Sequence, residues 1–152
     1  MAKEIERKFL VGENWREAVD GPGVRMRQAY LSLEPRATVR VRVAGDRAWL
    51  TVKGRNDGIS RDEWEYPVPV ADADAMIDRC GTAELSKTRY RSGRWEIDEF
   101  HGKLSGLVVA EIELADVSEQ PALPAWIGRE VSGDVRYYNS SLAASGKIPQ
   151  AE

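Results

Sequence analysis

Polar and apolar residues alternate with a period of two along most of this chain, beginning in its first ten residues, MAKEIERKFL. Glu4, Glu6 and Lys8 fall on one side of the alternation and Ile5, Arg7 and Phe9 on the other, which predicts a strand. Further strand-like runs follow at 24–33, 37–44, 47–53, 60–68, 84–91, 94–100 and 106–114. The stretches AGDR and RSGR read as tight hairpin turns, because Gly beside Asp or Ser supplies the positive φ such turns need. GRNDGI reads as a longer polar loop. GENWREAV at 12–19 predicts a short helix, and DGPG a turn after it. ADADAMIDRC predicts a second helix, with Asp72 or Asp74 near its positive end. The tail predicts two more helical segments, PAWIGREV and GDVRYYNSSLAASG, the second capped by Ser132 and stopped by Gly146. Trp126, Tyr138 and Leu142 then form the helix face that covers the sheet. Eight strands with mostly short connections predict an antiparallel system, enough to close a barrel.

The polar faces are unusual in sign. Arg40 shares a face with Arg42, Glu63 with Glu65, Glu96 with Asp98, and Glu111 with Glu113, while Lys87, Arg89 and Arg91 stack together. Thr51 joins Lys53, and Gln28 joins Tyr30. An antiparallel sheet ordinarily turns a polar face to water. Such faces mix signs, whereas like charges two residues apart on a strand gain nothing from each other. The missing counter-charges are a polyanion for the cations and a divalent metal for the carboxylates. Closing the sheet with its charged face inward would make a charged tunnel whose apolar outer face is covered by helices. A curved open sheet with a charged concave face is the alternative.

Composition narrows the field. At 152 residues the chain suits one domain with a real hydrophobic core. A net charge of −3 offers no general attraction for nucleic acid or an anionic membrane. The single cysteine, Cys80, excludes an internal disulfide and reads as a small buried residue at a helix end. His101 falls in a turn, and with no histidine pair or cysteine cluster any metal must take oxygen ligands. The N-terminus has no apolar signal region and no window reaches membrane-spanning length, so a cytoplasmic protein is expected.

The Glu-x-Glu-x-Lys pattern in EIERKF resembles the CYTH superfamily, the triphosphate tunnel metalloenzymes. QAYL, TVRVR, TVKG, EWEY, KTRY, WEIDEF, AEIEL and DVRYYNSSLA look like family blocks in the family's order, and the chain is most similar to compact bacterial members. The resemblance implies one domain over 1–152, α+β but mainly β, with an eight-stranded antiparallel barrel and flanking helices, including a C-terminal helical segment. It implies Glu4, Glu6, Glu111 and Glu113 as ligands of Mg²⁺ or Mn²⁺, with Glu63, Glu65 and Asp98 lining the tunnel. Lys8, Arg40, Arg42, Lys53, Lys87, Arg89 and Arg136 would hold phosphate oxygens, and Lys8, Tyr30 and Lys87 would be catalytic. Relatives often carry another glutamate after the EIEL block, where this chain has Ala115 and Asp116. The implied activity is metal-dependent cleavage of a terminal phosphoanhydride, with inorganic tripolyphosphate the favoured substrate. Thiamine triphosphate is an alternative, with Trp49 or Trp64 to stack its ring, as are a class IV adenylyl cyclase and a non-catalytic polyphosphate-binding module. The expected partner is a small triphosphate, with no nucleic acid and no membrane; a homodimer is left open.

Overall fold

All eight expected strands form in the computed structural model, which describes residues 2–150. They are β1 (Ala2–Val11), β2 (Val24–Ser32), β3 (Thr38–Ala44), β4 (Arg47–Lys53), β5 (Ser60–Val68), β6 (Ala83–Ser92), β7 (Trp95–Phe100) and β8 (Val108–Glu113). A ninth, β9 (Ile127–Glu130), joins them, with helices α1 (Val70–Cys80) and α2 (Asn139–Ser145). Every ladder is antiparallel, and the neighbours run β5-β4-β3-β2-β6-β7-β8-β1-β9. A further pairing of β1 with β5 closes eight strands into a barrel. The long first strand makes the closure by dividing its partners. Its start pairs with β5, Glu6 to Leu10 pair with β8, and Phe9 and Val11 pair with β9.

β9 replaces the helix expected over PAWIGREV. A β-carbon on Gly128 would sit 3.0 Å from the Leu10 carbonyl oxygen, so glycine lets this segment lie close against β1. Arg7 fastens the pairing with two hydrogen bonds to Glu130, both 2.9 Å. Ser132 is therefore no helix cap: its hydroxyl accepts from the Lys8 backbone N–H at 2.9 Å and donates to Glu130. The tail is helical only in part, as a 3₁₀ turn at Val135–Tyr137 and then α2, which stops where Gly146 adopts φ 63°. Residues 12–19 contain a 3₁₀ turn, Glu13–Ala18. Cys80 does end α1, but it is exposed, since the buried stripe of that helix is carried by Ala73 and Ile77. Trp126 lies on no helix and packs edge-on against Trp95 with ring centroids 5.7 Å apart.

Packing follows from strand parity. Ala29, Val41 and Ala48 point outward from β2, β3 and β4 and are covered by Ala73 and Ile77 of α1. Phe9, Trp95, Ile97, Ala110 and Ile112 form a second outer patch, covered by Trp15 and flanked by Trp126 and Ile127. The barrel is thus inverted, with apolar residues outside, as the alternation predicts. A third cluster occupies one end of the interior. Leu85, Phe100 and Val109 share the inner face with Lys87, Asp98 and Glu111, and they meet Leu104, Leu107, Val131, Tyr137 and Leu142. The C-terminal segment therefore plugs one end of the lumen, and Leu142 is fully buried there. Leu142→Ala is expected to cost about 2–5 kcal/mol, read as a lowered urea midpoint.

Among the described residues no helix is long and apolar enough to cross a membrane.

Candidate active site

Above the apolar plug the inner face lines a cavity of about 230 Å³. The order of strands around the ring divides its charges into two walls. β4, β3, β2 and β6 are neighbours and contribute Lys53, Arg40, Arg42, Tyr30 and Arg89. β7, β8, β1 and β5 are neighbours and contribute Glu96, Glu111, Glu113, Glu4, Glu6, Glu63 and Glu65. One side of the lumen is basic and the facing side acidic, with Lys8 and Arg61 the cations set into the acidic wall.

Ion pairs concentrate where the walls meet. At the β4 seam Lys53 Nζ lies 3.0 Å from Glu4 and 3.3 Å from Glu63, and Arg40 Nη2 lies 3.3 Å from Glu65. Burial pushes the Glu4 carboxyl up, but Lys53 outweighs it and holds it below its usual range. At the β6–β7 seam Asp98 receives two hydrogen bonds from Arg89, at 2.8 and 2.9 Å, and one from Lys87 at 2.7 Å. Burial opposes the ionised Asp98, yet Arg89 and Lys87 keep it well below the ordinary carboxylate range. Burial pushes the Glu111 carboxyl up, but Lys8, 3.4 Å away, outweighs it and brings Glu111 down to about 2. Lys8 Nζ also donates to the Tyr137 carbonyl and sits 5.8 Å from the Tyr138 ring centroid.

Away from the seams, apart from the Lys8–Glu111 pair, several charges lack a charged partner among the described residues. Arg42, in the middle of the basic wall, donates to the neutral Gln28 side chain at 2.8 Å. Burial, then Arg40 and Arg89, push it down to about 9. The Nε of Arg40 is buried without a hydrogen-bond partner among the described residues. On the acidic side Glu6 and Glu113 face each other across the β1–β8 ladder, and neither has a hydrogen bond or ion pair from its side chain among the described residues. Burial, Glu111 and Glu4 push Glu6 up to about 8. The cavity is thus short of an anion on one wall and of a cation on the other.

Most of the expected site residues come together here: Glu4, Glu6, Lys8, Tyr30, Arg40, Arg42, Lys53, Glu63, Glu65, Arg89, Glu111 and Glu113 line the cavity. Lys87 and Asp98 share the inner face but lie deeper, fully buried at the boundary with the plug, where Lys87 also donates to Asn139 at 2.9 Å. Arg136 is not brought in; its guanidinium is held by Asp134, two residues away, and by the Gln150 carbonyl. Asp116, at the departure from the family pattern, lies on the surface and accepts from Ser118. Trp64 alternates with Glu63 and Glu65 and so faces outward, whereas Trp49 is on the inner face opposite Arg42 but outside the cavity lining. Arg61, Thr38, Glu96, Asn56, Asn139 and Ser140 are additional lining residues. For Arg61 and Glu96 the alternation alone carries the signal, since they lie two positions from Glu63 and Asp98.

A barrel with apolar residues outside and opposed ionic walls inside defines a class, and residues 2–144 match the CYTH domain family. This chain belongs to that family. It is 46% identical to an inorganic triphosphatase of Acetivibrio thermocellus over 93% of this chain and 94% of the relative. It is 35% identical to an inorganic triphosphatase of Nitrosomonas europaea over 93% of this chain and 97% of that one. A crystal structure of an inorganic triphosphatase superposes with a TM-score of 0.65 at 33% identity, covering 99% of both chains.

Proposed function

We propose that this protein is an inorganic triphosphatase that hydrolyses the terminal phosphoanhydride of tripolyphosphate to pyrophosphate and phosphate, with Mg²⁺ or Mn²⁺. The observation that carries this reading is the pair of incomplete walls. Arg42 and the Arg40 Nε want an anion, and the facing Glu6 and Glu113 want a cation. A metal-chelated polyphosphate supplies both at once. The names of the two relatives support the same activity. The lining offers an organic group little to hold, since Ile59, Tyr30 and Tyr138 are its main apolar side chains.

The donor set fits a hard cation. Glu4, Glu6, Glu111 and Glu113 are oxygen donors along two paired strands, and among the described residues no three acidic, histidine or cysteine side chains already converge into a cage. That suits Mg²⁺ or Mn²⁺, which keep water and take phosphate oxygens alongside a few carboxylates. When bound, such an ion neutralises phosphate charge and lowers the pKa of coordinated water. The chain's own residues do the rest. Arg40, Arg42, Lys53 and Arg89 hold phosphate oxygens and keep the chain in line for attack by water. Lys8, with Tyr30 across the lumen, contacts the reacting phosphate and stabilises charge on the departing pyrophosphate oxygen. Lys87 is a positioning residue, because it acts on the cavity through Asp98, which holds Arg89, and through Asn139, which lines it.

The test is phosphate release from tripolyphosphate, ATP and thiamine triphosphate in parallel, with cyclic AMP measured in the ATP reaction. Fastest turnover on tripolyphosphate is expected. Cyclic AMP as the main ATP product would make the protein a cyclase, preference for thiamine triphosphate would reassign the substrate, and binding without turnover would make it a polyphosphate-binding module.

A further inference from the structure

Arg61 has no place in the ion-pair network just described, although it lies on the wall of the same cavity. It stands directly opposite Glu4 in the β1–β5 ladder, on the inner face. An arginine with a purely structural role there would take that carboxylate through its forked donors. Both Glu4 oxygens are instead held by Lys53, at 3.0 and 3.2 Å. The Nε and Nη2 of Arg61 turn to the neutral Gly54 carbonyl, at 3.1 and 2.8 Å, and Nη2 lies 3.5 Å from the Thr38 hydroxyl. Its Nη1 has no partner among the described residues. A guanidinium that is always charged is therefore anchored by uncharged groups, with one edge of its donor fork left open.

Its position adds to the point. Gly54 begins the β4–β5 loop, and that loop returns to the cavity through Asn56, Gly58 and Ile59. Asn56 and Gly58 are exposed, so this is the rim of the cavity, whereas Lys8 and Glu111 are buried deeper along their strands. Extending the triphosphatase reading, we propose that Arg61, together with Asn56 of the same cavity lining, forms an anion subsite at the rim that holds the outermost phosphate of the substrate. It distinguishes tripolyphosphate from the shorter product. The product, lacking that third phosphate, leaves Arg61 without a ligand and is bound less tightly.

The experiment measures binding of tripolyphosphate and pyrophosphate by calorimetry in EDTA, for wild type, Arg61→Gln and Arg61→Lys, with each variant's unfolding midpoint recorded. Both substitutions keep a donor for the Gly54 carbonyl, so the loop stays tethered, and only the glutamine removes the charge. Arg61→Gln is expected to weaken tripolyphosphate binding about 10- to 100-fold and pyrophosphate binding by less than about threefold. Arg61→Lys is expected to recover much of the loss, and in turnover assays KM rises for Arg61→Gln with little change in kcat. Tripolyphosphate binding unchanged in Arg61→Gln, or equal losses for both ligands, overturns the subsite while leaving the triphosphatase reading in place. Wild-type protein that neither binds nor hydrolyses tripolyphosphate overturns that reading and the subsite with it.

Discussion

Glu6→Gln is expected to reduce metal-dependent turnover by about 10³-fold or more, while making the metal-free protein more stable at pH 8. The two effects have one cause. Glu6 is a desolvated carboxylate facing Glu113, with no ion pair among the described residues; burial, Glu111 and Glu4 outweigh Lys8 and Lys53, and its pKa rises to about 8 from an ordinary 4.5. A group whose pKa is raised on folding contributes stability that is complete below the unfolded value and is lost as pH rises through the folded one. The wild-type protein without metal should therefore lose stability between pH 4.5 and about 8, and Glu63 and Glu113, also raised chiefly by burial, add to the same limb. Glu111 has the opposite sign. Held down to about 2, it contributes stability that is complete above pH 4.5 and is lost as pH falls from there through about 2, and Asp98 adds to this acid limb. Thermal midpoints across pH should trace a dome, and Glu6→Gln should flatten its alkaline side. Adding Mg²⁺ at pH 8 should raise the wild-type midpoint far more than that of the variant. A wild-type midpoint insensitive to Mg²⁺, or a fully active Glu6→Gln, would count against the cation site.

Asp98→Ala should have the largest effect on folding, about 3–5 kcal/mol. Asp98 is 1% exposed and is the shared counter-ion of Arg89 and the fully buried Lys87. Its removal leaves two buried cations facing each other across an empty position beside the apolar plug. Burial pulls the Lys87 ammonium down, so the variant has a route to relief in deprotonating it. The stability deficit of Asp98→Ala should accordingly shrink as pH rises, measured by urea unfolding at several pH values. A deficit below about 1 kcal/mol, as for an exposed pair, would show that the seam is not a structural anchor.

Strand parity made the inverted barrel legible. Period-two alternation assigns each charged doublet to one face without any knowledge of neighbours, and each doublet is found on the inner face. The separation into two walls was not legible, because it depends on β2 pairing with β6 and on β1 closing against β5, both distant in sequence. β9 was missed for a similar reason. PAWIGREV has helical character locally, but the unpaired edge of β1 and the close approach that Gly128 permits decide its conformation. Arg136 shows the reverse, a local interaction prevailing: Asp134, two residues away, accepts from its backbone and its guanidinium alike. Arg61 was open to the same parity argument as Glu63 and Glu65, but a lone cation ahead of an acidic doublet does not stand out as a doublet does.

The most direct measurement is a ³¹P NMR time course of tripolyphosphate with the purified protein, in Mg²⁺ and in EDTA. Phosphate and pyrophosphate are expected to appear together in equal amounts, only when the metal is present. Hydrolysis of equal rate in EDTA would contradict the role given to Glu6 and Glu113, and an unchanged spectrum in Mg²⁺ and Mn²⁺ alike would contradict the triphosphatase itself.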